Sequence, residues 1–215
     1  MSDAEKERWD VRYREGAGST EPSTYLLSLG GLLPATGRAL DLAGGRGRHA
    51  IWLARRGLDV TLADISDVGL GLARDAAERV GARIRTVAVD LERGPVPPGP
   101  WDLVVCFHYL HRPLFQTIPT LLSPGGLFVF CQPTRRNLER HARPGPDHLL
   151  EEGELPGLLG GLEIVRYEEA WLEEGRHEAR AVARAPRPTP GHPPASNRAL
   201  ATTDGLADTD LEGPT

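Results

Sequence analysis

Short apolar runs alternate with amphipathic segments through most of the chain. Runs of strand length fall at about 38–42, 59–63, 83–87, 102–106, 126–131, 163–171 and 177–185. Helical spacing of apolar positions falls between them, at about 3–14, 23–33, 48–56, 68–80, 113–121 and 153–159. Strand, helix, strand in repetition predicts a doubly wound α/β fold whose seven-stranded sheet is mostly parallel. The last two runs are joined by Glu173-Glu174-Gly175-Arg176, a hairpin turn signal that makes this pair antiparallel. The proline-rich stretch 93–100 can be neither helix nor central strand and predicts a stiff loop. From 186 onward the pattern stops, and a Pro/Thr/Asp/Gly mixture predicts a disordered tail over 186–215. The expected organisation is a helical cap or lid over 1–34, a ligand-binding domain over 35–185, and that tail.

Composition narrows the partners. A length of 215 residues suits one α/β domain with a substantial core. The formal net charge of −5 disfavours nucleic acid, whose phosphates need a basic face. The charged start Met1-Ser2-Asp3-Ala4-Glu5-Lys6 has no apolar core of the kind a signal peptide needs. No run approaches the roughly 20 apolar residues of a membrane span. Cys106 and Cys131 fall at the ends of two strand-like runs, where reduced, packed thiols and a cytoplasmic setting are expected. Nothing in the composition fixes the oligomeric state.

The chemistry concentrates after the first strand-like run. Ala39-Leu40-Asp41-Leu42-Ala43-Gly44-Gly45-Arg46-Gly47 is a strand ending in an acid, then a glycine-rich turn, then an amphipathic segment. Glycines let the backbone approach a ligand, and the next helix opens with free N–H groups. Asp64 ends the following apolar run, where an acid can accept hydrogen bonds from ribose hydroxyls. It could also cap the next helix, a task open to Ser66. Gly45-Arg46-Gly47-Arg48-His49-Ala50 fits G-x-G-x-x-A, so an NAD(P)-dependent oxidoreductase is one alternative. Asp41 argues against it, because a pyrophosphate would meet that carboxylate, whereas a cofactor with a cationic centre and an ammonium group would welcome it. The chain has a single lysine, Lys6, which excludes a P-loop and a Tyr-x-x-x-Lys pair.

With these motifs the sequence resembles the class I S-adenosylmethionine (SAM)-dependent methyltransferases, whose Rossmann-like sheet ends in an antiparallel hairpin. Their first motif, acid-x-Gly-x-Gly-x-Gly, is matched by Asp41 to Gly47 with Ala43 at the first glycine position. The later landmarks follow in order, at Val60 to Ser66, Thr86 to Leu91, Trp101 to Cys106 and Leu122 to Phe130. The start Trp9-Asp10-Val11-Arg12-Tyr13 adds a resemblance to the tellurite-resistance-type methyltransferases and suggests a small-molecule acceptor. The resemblance implies that Asp41, Ala43, Gly45, Gly47, Arg48, Asp64, Ile65, Asp90, Leu91 and Phe107 hold the cofactor. Asp41 would face its amino group, Asp64 its ribose and Asp90 its adenine, although Asp90 could equally serve a turn. Arg48 could pair with its carboxylate. The Asn/Asp-Pro-Pro-Tyr/Phe run of methyltransferases acting on bases is missing, a second argument against nucleic acid.

Acceptor residues are expected beyond the carboxyl ends of the strands. Phe107-His108-Tyr109-Leu110-His111-Arg112 follows the fourth strand. His108 or His111 could serve as a catalytic base. The pair has no third ligand at persuasive spacing, so no metal is expected. Tyr109, Arg112 and Arg135 are candidate acceptor contacts, and their arginines suit an anion. Trp9 and Tyr13 could belong to a lid that excludes water. A SAM-binding sensor or partner subunit without catalysis is the other alternative, since cofactor motifs report binding only.

Overall fold

The computed structural model describes residues 3–187. In chain order the elements are α1 (Asp3–Arg14), α2 (Thr24–Ser28), β1 (Arg38–Leu42), α3 (Arg48–Arg55), β2 (Asp59–Asp64), α4 (Asp67–Arg79), β3 (Ile84–Ala88), β4 (Trp101–Phe107), α5 (Leu114–Leu121), β5 (Leu122–Pro133), α6 (Glu154–Leu158), β6 (Glu163–Trp171) and β7 (His177–Arg184). One seven-stranded sheet runs in the order β3-β2-β1-β4-β5-β7-β6. The first five strands pair in parallel, and β7 enters antiparallel between β5 and β6. The doubly wound expectation and the terminal hairpin both hold.

The central strands are apolar on both faces because helices cover both. Leu40, Leu42, Val104, Phe128 and Phe130 pack on one side with Phe115 and Ile118 of α5. Ala39, Val60, Leu62, Leu103, Val105 and Val129 pack on the other with Leu53 of α3 and Leu70 of α4. Strand order reverses between β1 and β4, which leaves a crevice at their carboxyl ends.

Two elements differ from the sequence reading. The helix expected over 23–33 stops at Ser28, because Gly30-Gly31 and Pro34 follow at once. The strand expected over 126–131 runs from Leu122 to Pro133, since β4 extends its pairing at one end and β7 at the other. Of the tail expected over 186–215, Pro186 and Arg187 are described, and 188–215 lies outside the described residues. Among the described residues no helix is long and apolar enough to cross a membrane.

Helix α1 docks in an unusual way. Its sequence has almost no apolar stripe, and the residue it buries is Asp10. One Asp10 carboxylate oxygen accepts from the Ser66 hydroxyl and from the Val68 N–H at 3.2 Å. Lys6 bridges Asp10 at 3.1 Å and Asp67 at 2.8 Å. A buried carboxylate thus latches α1 to the start of α4, beside the Tyr13 ring that packs over Gly69. Asp10→Ala would strand the buried Ser66 hydroxyl and the half-buried Val68 N–H and is expected to cost about 1–3 kcal/mol. Urea unfolding should show the lower midpoint, and amide exchange should show α1 losing protection first. An unchanged midpoint with α1 still protected would contradict the latch.

Candidate functional site

The crevice is a cleft of about 470 Å³. Its floor is the turn between β1 and α3, and the sequence shapes that turn residue by residue. Ala43 sits at φ +52°, Gly45 at +55° and Gly47 at +78°. Ala43 therefore holds the left-handed conformation at the position where the resembling family has glycine, at a strain of roughly 1 kcal/mol. A Cβ on Gly45 would collide with the Tyr13 hydroxyl, so the glycine is needed for α1 to close over the loop.

Two carboxylates hold the turn from beneath. Asp64 is buried, and its oxygens accept from the N–H of Gly45 at 2.8 Å and of Ser66 at 2.9 Å. Burial pushes its carboxyl above the usual range, and those N–H groups pull back. Ser66 takes the capping task, its hydroxyl accepting from the Gly69 N–H at 3.0 Å. Asp41 is fully buried. Its Oδ2 accepts from the Ala50 N–H at 3.0 Å, and its Oδ1 has no partner among the described residues. Burial pushes Asp41 up to about 7, against the Ala50 N–H and Arg48. A buried carboxylate oxygen left empty at the wall of a cleft is a place for a cationic donor.

Most of the expected site residues meet here. Asp41, Ala43, Gly45, Arg48, Asp64 and Ile65 line the cleft from the β1 and β2 side. Leu91, Phe107, His108 and Tyr109 line it from β3 and β4. Trp9 and Tyr13 close it from α1, with their rings stacked at 5.5 Å between centroids. Gly47 lies beneath the wall as the residue before α3. Asp90 accepts from the Glu92 N–H at 2.9 Å in a local turn, and its neighbour Leu91 lines the cleft instead.

The other acceptor candidates lie elsewhere. His111 starts α5, its carbonyl accepting from the Leu114 N–H. Arg112 forms a forked pair with Glu154, and Arg135 pairs with Glu151 at 2.9 Å. None of the three lines the cleft.

Sequence reasoning missed Arg176, Glu178 and the role of His49. Arg176 precedes β7, lines the cleft and lies 3.5 Å from Glu178. Glu178 is buried beside His108, with its Oε1 at 3.0 Å from His108 Nε2. His49 is buried, accepts at Nε2 from the Ser23 N–H at 3.3 Å and rests on Phe107 at 4.3 Å between ring centroids. Burial, Arg48 and His108 hold it neutral. His108 itself sits at φ +58°, a left-handed position that favours function over propensity.

The loop, the empty Asp41 oxygen and the apolar side walls fit a cofactor with a cationic end and a flat aromatic end. A family model for the methyltransferase domain matches residues 39–126, from β1 to the beginning of β5. Over these residues the chain is similar to methyltransferases, and its fold is that of SAM-dependent methyltransferases. The fold is similar to that of TehB from Haemophilus influenzae, with TM-score 0.66 and 17% identity over 82% of this chain and 67% of that one. It is similar to a SAM-dependent methyltransferase from Mesorhizobium loti, with TM-score 0.63 and 22% identity over 77% and 100%. It is also similar to the magnesium protoporphyrin IX methyltransferase from Synechocystis PCC 6803, solved with bound S-adenosylhomocysteine (SAH), with TM-score 0.62 and 19% identity over 85% and 98%. No curated protein matches this chain by sequence.

Burial raises the proton affinity of Asp41 in the folded chain. A carboxyl raised in the folded state binds its proton more tightly than in the unfolded chain. Its contribution therefore lowers stability as pH rises from about 4 to about 7 and is flat above. Asp41→Asn removes this contribution, so its stability should fall less over that range, by urea unfolding without ligand. Equal pH slopes for both proteins would contradict the buried-acid reading.

Proposed function

We propose that the domain transfers a methyl group by in-line displacement to a small acceptor that carries a negative charge. Bound SAM supplies a methyl group already activated by a positively charged sulfur. The chain's task is to hold cofactor and acceptor in line and to keep water out. Asp41 would hold the cofactor's ammonium, Asp64 its ribose hydroxyls, and Ile65, Leu91 and Phe107 its adenine faces. Asp90 would approach the adenine edge. Arg48 would take the cofactor carboxylate, since no hydrogen bond or ion pair ties its guanidinium among the described residues. Trp9 and Tyr13 on α1 would form the lid.

The observation that carries the acceptor class is Arg176, which lines the same cleft as His108 and keeps nearly half its side chain exposed. A guanidinium there suits a carboxylate or an oxyanion. Arg112 and Arg135 do not line the cleft and are poorer candidates. A cleft of about 470 Å³ is of small-ligand size, and this supports a small molecule over a nucleic acid. His108 would act as the base for a hydroxyl or amine acceptor, and Tyr109 would flank it. A cytoplasmic setting fits Cys106 and Cys131, both buried and free.

A screen of small carboxylates, phosphates and their neutral analogues with methyl-labelled SAM tests this reading. Acceptors bearing an anion should be preferred. Arg176→Ala should raise their KM about tenfold, in line with a lost charge-assisted hydrogen bond, and leave SAH affinity within about twofold. Preference for neutral analogues, or a KM indifferent to Arg176, would contradict it.

A further inference from the structure

At the His108 end of the cleft lies a polar cluster whose members behind His108 are buried or nearly so. It is made by His108 after β4, Cys131 on β5, and Glu178 and Arg180 on β7, and it rests on the proposed role of His108 as base. The Glu178 carboxylate is only 2% exposed and collects donors on both oxygens. Its Oε2 accepts from the Cys131 thiol at 3.0 Å and from Arg180 Nε and Nη2, each at 3.1 Å. Its Oε1 faces His108 Nε2 at 3.0 Å and Arg176 at 3.5 Å. Burial works against its charge, but these donors win and hold it at about 2. Burial and the neighbouring Glu178 push the Cys131 thiol well up, so it stays protonated and donates.

An ionised carboxylate can only accept. The His108 nitrogen facing it must therefore carry the proton, and the other nitrogen of a neutral ring must be the basic one. We propose that Glu178 is the positioning residue of the reaction, fixing His108 as the Nε2–H tautomer so that Nδ1 is the proton acceptor. The backbone agrees. The His108 N–H is tied to the Cys131 carbonyl at 2.8 Å, and its left-handed φ holds the ring at the strand end, with the side chain 30% exposed. Among the described residues Nδ1 has no partner. The step balances without any further reactant. The acceptor's O–H or N–H proton goes to Nδ1, and its freed electron pair bonds the methyl carbon. The carbon–sulfur pair stays with sulfur, and the imidazolium, steadied by Glu178, returns its proton to solvent.

The charged and titratable groups around the ring are Arg48 and His49 from α3, Cys131 from β5, Arg176, and Glu178 and Arg180 from β7. These also weigh against the other chemistry the cluster offers. The donor atoms of His108, Cys131 and Glu178 lie within 4.8 Å of one another, close enough to hold a metal ion. A cation there would have to break the Glu178–Arg180 pair and sit among three guanidinium groups, so a proton relay is the better use of the same atoms.

The test reads the ring of His108 directly, by long-range ¹⁵N–¹H correlation on histidine-labelled protein with SAH present, near pH 8, with His108→Gln as the assignment control. Wild type should show Nε2–H. In Glu178→Gln the amide oxygen should stay with the Arg180 and Cys131 donors and turn its NH₂ to His108, inverting the ring to Nδ1–H. A wild-type ring in the Nδ1–H form, or the same tautomer in both proteins, would overturn the proposal. So would one equivalent of zinc retained by wild type and lost in Cys131→Ser, which would assign the cluster to a metal. SAH titration of both proteins is run alongside. If neither binds, the cofactor assignment fails, and the tautomer comparison still decides the role of Glu178.

Discussion

The site depends on two buried carboxylates that hold one turn. Asp64 takes the Gly45 and Ser66 N–H groups, and Asp41 takes the Ala50 N–H. A turn with three left-handed residues, Ala43, Gly45 and Gly47, would not persist in one shape without such anchors. Each anchor leaves acceptor capacity facing the cleft, and that spare capacity is what a ligand can use. Burial makes the arrangement costly while the cleft has no cation in it, and a cationic ligand would offset that cost. The same logic recurs at α1, where buried Asp10 ties the helix to Ser66 and Val68 at the start of α4. The segment that closes the cleft is therefore fastened next to the residue that caps α4. The two anchors meet at Ser66, whose N–H goes to Asp64 and whose hydroxyl goes to Asp10.

The cleft has two electrostatic halves. Toward β1 and β2 it presents Asp41 and Asp64, which suit an ammonium and hydroxyl groups. Toward the hairpin it presents Arg176 and His108, and Arg48 also lines it. Such a division would suit the zwitterionic cofactor and the anionic acceptor proposed above. Phe107, set against His49, adds an apolar surface to the cleft wall.

The fold was legible because each strand run was set off by a turn signal and each central strand was apolar on both faces. The Asp41–Asp64 side of the cleft was legible because its residues are local. Asp41 to Arg48 is one strand–turn–helix, and Asp64 closes the next strand. The His108–Glu178 side was not legible, because the register of β7 on β5 brings it together. Pairing Cys131 with Arg180 and Pro133 with Glu178 sets a carboxylate beside a histidine 70 residues earlier. No spacing in the sequence encodes that register. Arg112 and Arg135 looked like acceptor ligands because they follow strand ends, but nearby Glu154 and Glu151 engage them. The short α2 has a local cause in Gly30-Gly31, which a count of apolar positions alone overrides.

Calorimetric titration of the full chain with SAH and, separately, with NADH tests the central claim most directly. The account predicts micromolar binding of SAH, weakened at least about tenfold by Asp64→Ala through loss of charge-assisted hydrogen bonds, and no binding of NADH. Preference for NADH, or SAH binding indifferent to Asp64, would contradict it.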